Sequence, residues 1–484
     1  MSCCDEPVPG MTNRTAQTAQ VFDLAILGGG SAGFAAAIKG AEQGARVALI
    51  EGGTLGGTCV NVGCVPSKTL IRAAEVQHRR RHHPFAGVSR SGDGPEWGQI
   101  RDQKDELVGE LRQGKYWDVL GAYDTIQLFP QRGVFASPRE IRLADGQSIV
   151  ADKVVVTTGA SPWVPPVPGL AEAGFLDNVS AMSLERLPES LIVIGTGFVA
   201  VELGQMFARL GVRVTLVGRK DRVLSGEDPD VGSALTSYLR DEGITVHTGT
   251  VIEQVSRSDR YHLRVVTEGQ PEVLEAEALL VAAGRRPNTA GFGLDAIGAV
   301  LGARGELVVD AHLATAVPSV YAAGDVVGGP MFVYVAAYAG ALAAGNALSS
   351  TQQQVDLTAV PRVSFTDPAV ATVGLTEADA QARGLEVLVS RLSMEHVPRA
   401  LAAREIRGFV KLIADGATRR IVGAQILASE AGEMIVEPTL ALKYGLTIED
   451  LTSTFHPYLT LSEGIKLAAQ TFDRDVAKLS CCSA

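Results

Sequence analysis

All six cysteines of this 484-residue chain stand in close pairs: Cys3 with Cys4, Cys59 with Cys64 inside GGTCVNVGCVPSK, and Cys481 with Cys482 just before the last two residues. Adjacent Cα atoms lie about 3.8 Å apart across a trans peptide. A disulfide usually spans roughly 4.4–6.8 Å, so a vicinal pair such as Cys481-Cys482 is better suited to clamping a soft metal ion than to bridging. Cys59 and Cys64 are spaced for a redox-active dithiol. The thiolate is the reacting form of cysteine, and a helix start plus a cation lowers its pKa; Lys68 lies one helical turn beyond Cys64.

The elements that must position these thiols begin with FDLAILGGGSAGFAAAIKGAEQGARVALIE, which reads as strand, glycine turn, helix and strand. Gly28, Gly30 and Gly33 have the spacing that lets a pyrophosphate approach a helix N-terminus, and Glu51 ends the second strand where a carboxylate accepts bonds from an adenosine ribose. A second unit, LIVIGTGFVAVELGQMFARLGVRVTLVGRK, carries Gly195, Gly197 and Ala200. Its second strand ends in Gly218-Arg219-Lys220 with Arg222 close by, and the strand end lacks the acid that would favour an unphosphorylated ribose. Arginine at this place suits a 2'-phosphate, so NADPH is expected rather than NADH.

The chain is 46% hydrophobic with 53 glycines and a formal net charge of −11. That charge argues against nucleic acid as a partner, and the basic run from His78 to His83 reads as a solvated helix face. No apolar run is long enough to span a bilayer. The first residues show no apolar stretch of signal-peptide type, and unpaired cysteines beside a nucleotide motif fit a reducing cytoplasm.

GGTCVNVGCVPSK, the two glycine motifs, VVTTGA, LLVAAGRRPNT and SVYAAGDVV occur in an order that resembles the flavin-dependent pyridine nucleotide disulfide oxidoreductases over nearly the whole chain. The resemblance implies an α/β fold with two Rossmann-like domains, for FAD and NAD(P), and a C-terminal α+β dimerisation domain in a homodimer. The expected order is a tail over 1–20, FAD-binding residues 21–160 and 287–352, NADPH-binding residues 161–286, a dimerisation domain over 357–475 and a tail over 476–484. FAD is expected on the first unit together with Gly57, Thr58, Gly159, Gly324 and Asp325, and NADPH on the second unit with Gly284. By the same resemblance Cys64 is the thiol against the flavin and Cys59 the one that exchanges with substrate. Lys68 approaches the flavin edge, partnered by Glu202.

The C-terminal segment TFHPYLTLSEG departs from the disulfide reductases, whose motif places a histidine five residues before the glutamate. Aligning on Glu463 puts Tyr458 there, and a phenol with a pKa near 10 is a poor proton shuttle at neutral pH. His456 is two positions out of register and reads as a loop histidine without a catalytic part. Tyr458, the terminal Cys481-Cys482 and FVYVAAYAG (Phe332 to Gly340) together resemble the mercuric reductases. That resemblance implies a relay in which Cys481 and Cys482 take mercury(II), Hg2+, from small-thiol complexes and pass it to Cys59 and Cys64 of the partner subunit, Tyr458 lining the transfer pocket. An N-terminal metal-binding domain with a GMTCxxC-like loop, common in that group, does not fit before Val21, and Cys3-Cys4 is left without an assigned role. The rivals are a reductase of an organic disulfide such as glutathione or lipoamide, and a mercury-binding protein without turnover.

Overall fold

The computed structural model describes residues 20–90 and 92–478; both terminal cysteine pairs therefore lie outside the described residues. The chain divides into two compact units, one formed by 1–57, 118–159 and 287–354 and the other by 58–117, 160–286 and 355–484.

The first unit is built on a twisted sheet whose parallel strands run Ile126–Phe129, Val47–Ile50, Gln20–Leu27 and Ser148–Val156, with Val320–Ala322 also paired to the last. Two antiparallel strands, Glu140–Leu143 and Gly133–Ser137, extend it. Val47–Ile50 is buried at every position, as expected of a parallel strand covered on both faces. Leu24 and Ile26 are wholly buried, and burying such a side chain stabilises by about 1.5–3 kcal/mol. The helices Ser31–Glu42 and Val333–Leu348 lie against each other. A Cβ on Gly340 would stand 2.0 Å from the Ala32 carbonyl oxygen, so glycine is what allows this close approach.

The second unit holds a four-stranded parallel sheet, ordered Thr245–His247, Arg213–Val217, Ser190–Ile194 and Ala278–Val281, beside a three-stranded antiparallel meander over Thr250–Arg257, Tyr261–Thr267 and Gln270–Ala276. A further sheet is antiparallel and five-stranded, ordered Arg362–Ser364, Ala369–Gly374, Ile421–Ala428, Phe409–Asp415 and Val387–Ser393. Helices Ala431–Met434, Val436–Tyr444, Ile448–Ser453 and Glu463–Gln470 accompany this sheet. The helix Cys64–Arg81 packs on Phe198–Arg209.

A buried ion-pair network ties the unit together. The Arg209 guanidinium reaches Glu242 at 2.6 Å and Asp367 at 3.0 Å, and Arg407 reaches the same two carboxylates at 3.3 and 3.4 Å. Both carboxylates are held below their usual pKa: burial opposes the shift, and the arginines overcome it. Loss of a single member leaves an uncompensated buried charge, which typically costs about 3–5 kcal/mol.

The basic run expected as a solvated face ends the helix Cys64–Arg81, and Arg79 to His82 are exposed. His78 departs from that expectation. It is half-buried beside Arg209, and burial first, then the guanidinium, push its pKa down to about 4.

Candidate active site

The first glycine turn is shaped for an anion. Gly28 has φ +115°, and a Cβ there would lie 2.4 Å from the Thr157 carbonyl oxygen; a Cβ on Gly33 would lie 1.8 Å from the Gly28 oxygen. A Cβ on Gly30 would meet only the Gly57 Cα, at 3.6 Å. The following helix has no side-chain cap, which leaves its first N–H groups available to a phosphate. Glu51 accepts the Gly29 N–H at 2.5 Å and the Gly53 N–H at 2.6 Å, one on each carboxylate oxygen. Gly159 accepts the Asn288 N–H at 2.9 Å, and Gly324, at φ +79°, precedes the turn that begins at Asp325.

The second turn repeats this chemistry within the other unit. Gly195 has φ +133°, and a Cβ there would stand 2.3 Å from the Ala282 oxygen, whereas among the described residues nothing lies within 4 Å of a Cβ on Gly197 or Gly284. The helix Phe198–Arg209 also lacks a side-chain cap. Beyond the adjoining strand, Arg222 is paired with Asp221 at 2.8 Å. Arg219 is exposed and has no ion-pair partner among the described residues. The residues at both turns therefore fit dinucleotides, and at the second Arg219 and Lys220 are both exposed without an ion-pair partner among the described residues.

Cys59 lies on the short helix Gly57–Val62, and Cys64 opens the helix Cys64–Arg81. Both are free and partly buried. The Cys59 thiol donates to Cys64; this bond, ahead of the Lys68 charge, pulls Cys64 down to about 7 against the opposing effect of burial. Cys59 moves the other way, raised by that bond, by burial and by the Cys64 charge. In the dithiol form Cys64 is thus the standing thiolate and Cys59 its proton-bearing neighbour.

Alkylation with iodoacetamide, read residue by residue by mass spectrometry, checks this assignment. The Cys64 rate should rise through pH about 7, because only the thiolate attacks, while Cys59 lags. Lys68→Met should move that midpoint upward. Equal rates and midpoints for the two thiols would contradict the assignment.

Lys68 and Glu202 come together as the resemblance implies, with Nζ 2.7 Å from Oε2. Glu202 is buried, and its other oxygen accepts the Phe365 N–H at 2.9 Å. The Phe365 ring also lies under the Lys68 ammonium, 4.6 Å from its centroid. Phe365 was missed in the sequence because a lone aromatic outside every motif carries no signal. Asn61, between the cysteines, accepts from Arg112 at 3.3 Å, and Asn178 donates to the Val62 carbonyl at 3.1 Å.

Tyr458 is 59% exposed, and its hydroxyl has no hydrogen-bond partner among the described residues. His456, expected to be a loop histidine without a catalytic part, lies in a loop and forms an ion pair with Glu437 at 2.8 Å. That bond, outweighing burial, raises its pKa above the ordinary value. Cys481 and Cys482 lie outside the described residues.

Residues 22–340 match the family described as pyridine nucleotide-disulphide oxidoreductase, and residues 360–469 match that family's dimerisation domain. The chain is 45% identical to a mercuric reductase of Staphylococcus aureus over 463 residues, 96% of this chain and 84% of that protein. It is also 45% identical to one of Streptomyces lividans over 469 residues, 96% of this chain and 98% of that protein. Among solved structures, the flavoprotein disulfide reductase RclA of Escherichia coli is similar with TM-score 0.83 and 30% identity, covering 93% of this chain and 99% of that one. LpdA of Mycobacterium tuberculosis is similar with TM-score 0.82 and 28% identity, covering 94% and 99%. The chain belongs to the pyridine nucleotide-disulphide oxidoreductases and, within them, to the mercuric reductases.

Proposed function

We propose that this protein is a cytoplasmic homodimeric mercury(II) reductase that converts thiol-bound Hg2+ to elemental mercury at the expense of NADPH. The observation that carries the reading is the pair of free, hydrogen-bonded thiols with Cys64 poised at about 7 beside Lys68. Mercury(II) is a soft ion, and a standing thiolate displaces a small thiol from it without a separate base. In this order Cys64 exchanges first and Cys59, the exchange thiol by resemblance, second, its proton passing to the displaced small thiolate once Cys64 has given its electron pair to the metal. Lys68, fixed by Glu202 and seated on Phe365, keeps a positive charge beside the developing thiolates.

Gly28, Gly30, Gly33 and Glu51 would hold FAD, and Gly195 and Gly197 would hold NADPH; once bound, the pair would supply the two electrons that reduce a mercury(II) ion held by the dithiol. The balance is one Hg2+ and one NADPH giving one Hg0, one NADP+ and one proton. In the relay, Cys481 and Cys482 deliver the ion, and Tyr458 lines the path. A tyrosine rather than a histidine disfavours the organic-disulfide reading, because it cannot cycle a proton to a leaving thiolate at neutral pH.

Anaerobic NADPH oxidation with mercury(II) in excess small thiol, run beside oxidised glutathione and lipoamide, tests the proposal. Turnover with mercury alone is expected. Turnover with an organic disulfide and none with mercury would overturn it.

Arg219 carries the preference for NADPH. Arg219→Ala should weaken NADPH about 10- to 100-fold, the scale of one charge-assisted hydrogen bond, and leave NADH nearly unchanged when both are titrated by protein fluorescence. An equal loss for the two nucleotides would remove Arg219 from phosphate recognition.

A further inference from the structure

The segment from Thr454 to Ser462 joins the helices Ile448–Ser453 and Glu463–Gln470. Within one protomer burial does not hold it: Phe455 is 96% exposed, Tyr458 59% and Leu459 40%. Leu459 sits at φ +64°, a left-handed conformation that a branched side chain resists and that persists only where the surroundings impose it.

One side chain in this loop is tied to another element. The His456 side chain is only 4% exposed, and its Nε2 lies 2.8 and 3.0 Å from the two oxygens of Glu437, on the helix Val436–Tyr444. Its Nδ1 lies 3.1 Å from the Thr454 carbonyl oxygen. Both partners are acceptors, so only the imidazolium, which donates from both nitrogens, satisfies the arrangement. The other charge bearing on it is Lys466, from the helix Glu463–Gln470, which opposes that protonation. Glu437 outweighs it through a charge-assisted bond, the stronger class of hydrogen bond.

Two residues on, the Tyr458 hydroxyl has no hydrogen-bond partner among the described residues. Glu463, five residues after Tyr458, is buried, and its Oε2 has no partner among the described residues. Tyr458 is therefore presented outward by its loop and is not drawn back onto Glu463.

We propose that His456, clamped by Glu437, is a positioning residue for Tyr458 that fixes where the exposed phenol stands. The proposal rests on the reading of the protein as a mercury(II) reductase in which Tyr458 lines the transfer path. A misplacement of about 1 Å from outside the chemistry can cost up to about 100-fold in rate, which is reason enough to hold such a loop by an ion pair.

The test uses the full-length flavoprotein and four variants: Tyr458→Phe, His456→Gln, Glu437→Gln and the double variant His456→Gln/Tyr458→Phe. Mercury-dependent kcat and KM are read with mercury(II) in excess small thiol, and NADPH-dependent reduction of ferricyanide reports an intact flavoprotein. Ferricyanide rates should be unchanged in His456→Gln and Glu437→Gln.

His456→Gln should lower kcat for mercury about 10- to 100-fold, and the double variant should be no slower than Tyr458→Phe alone, since coupled residues are non-additive. Glu437→Gln should shift kcat in the same direction without touching the loop. Independent, multiplying losses, or His456→Gln and Glu437→Gln turning over like the parent, would overturn the clamp and leave the mercury reading standing. A parent protein without mercury turnover would overturn both. Parent turnover with a fully active Tyr458→Phe would overturn the clamp by removing the residue it is meant to position.

Discussion

Replacing Cys64 with serine should reduce mercury-dependent NADPH oxidation by about a thousandfold or more, the scale on which loss of a reacting group acts in an enzyme. Serine keeps the size and a hydrogen-bonding atom but offers neither a thiolate near neutral pH nor a soft donor for mercury. Cys59→Ser should fail as severely by a different route. Cys64 would keep its cationic neighbour Lys68 and, in the serine hydroxyl, a donor in place of the Cys59 thiol, so it should remain open to alkylation near neutral pH. The two variants are thus separable: both are inactive with mercury, and only Cys59→Ser retains a reactive thiol in the motif. Substantial mercury turnover by either would mean that the dithiol is not where the metal ion is reduced.

The second large effect concerns the terminal pair. Cys481→Ala/Cys482→Ala should lower kcat/KM for thiol-complexed mercury about 10²- to 10⁴-fold, the range over which a tethered bidentate carrier exceeds free exchange. The dithiol itself should be intact in this variant, with the Cys64 alkylation midpoint still near 7. Raising the free thiol concentration should widen the gap between variant and parent, because the tail competes with that thiol for the metal ion. A variant equal to the parent at every thiol concentration would exclude the relay.

The parts of this site most legible in the sequence were those fixed by backbone geometry. Gly28, Gly33 and Gly195 face carbonyl oxygens at distances that no Cβ could tolerate, so the residue types themselves announced the turns. The Lys68–Glu202 pair spans 134 positions and was accessible only through resemblance, since nothing local in either segment specifies its partner.

Phe365 was not legible at all. It reaches Glu202 through its backbone N–H, which every residue but proline possesses. His456 was read as a loop histidine without a catalytic part on its register against Glu463. Register could not reveal Glu437, which lies 19 positions away on the helix Val436–Tyr444. His78 shows the same limit: its neighbours are solvated as the charge run suggested, but tertiary packing against Arg209 decides its protonation.

The central claim is that electrons from NADPH end on mercury through the dithiol. Its most direct test is to measure, anaerobically and in one vessel, NADPH consumed against elemental mercury volatilised from a thiol-complexed Hg2+ solution. The account predicts one atom of mercury released per NADPH, with none from Cys64→Ser. Mercury bound without NADPH consumption, or NADPH consumed without volatile mercury, would contradict it.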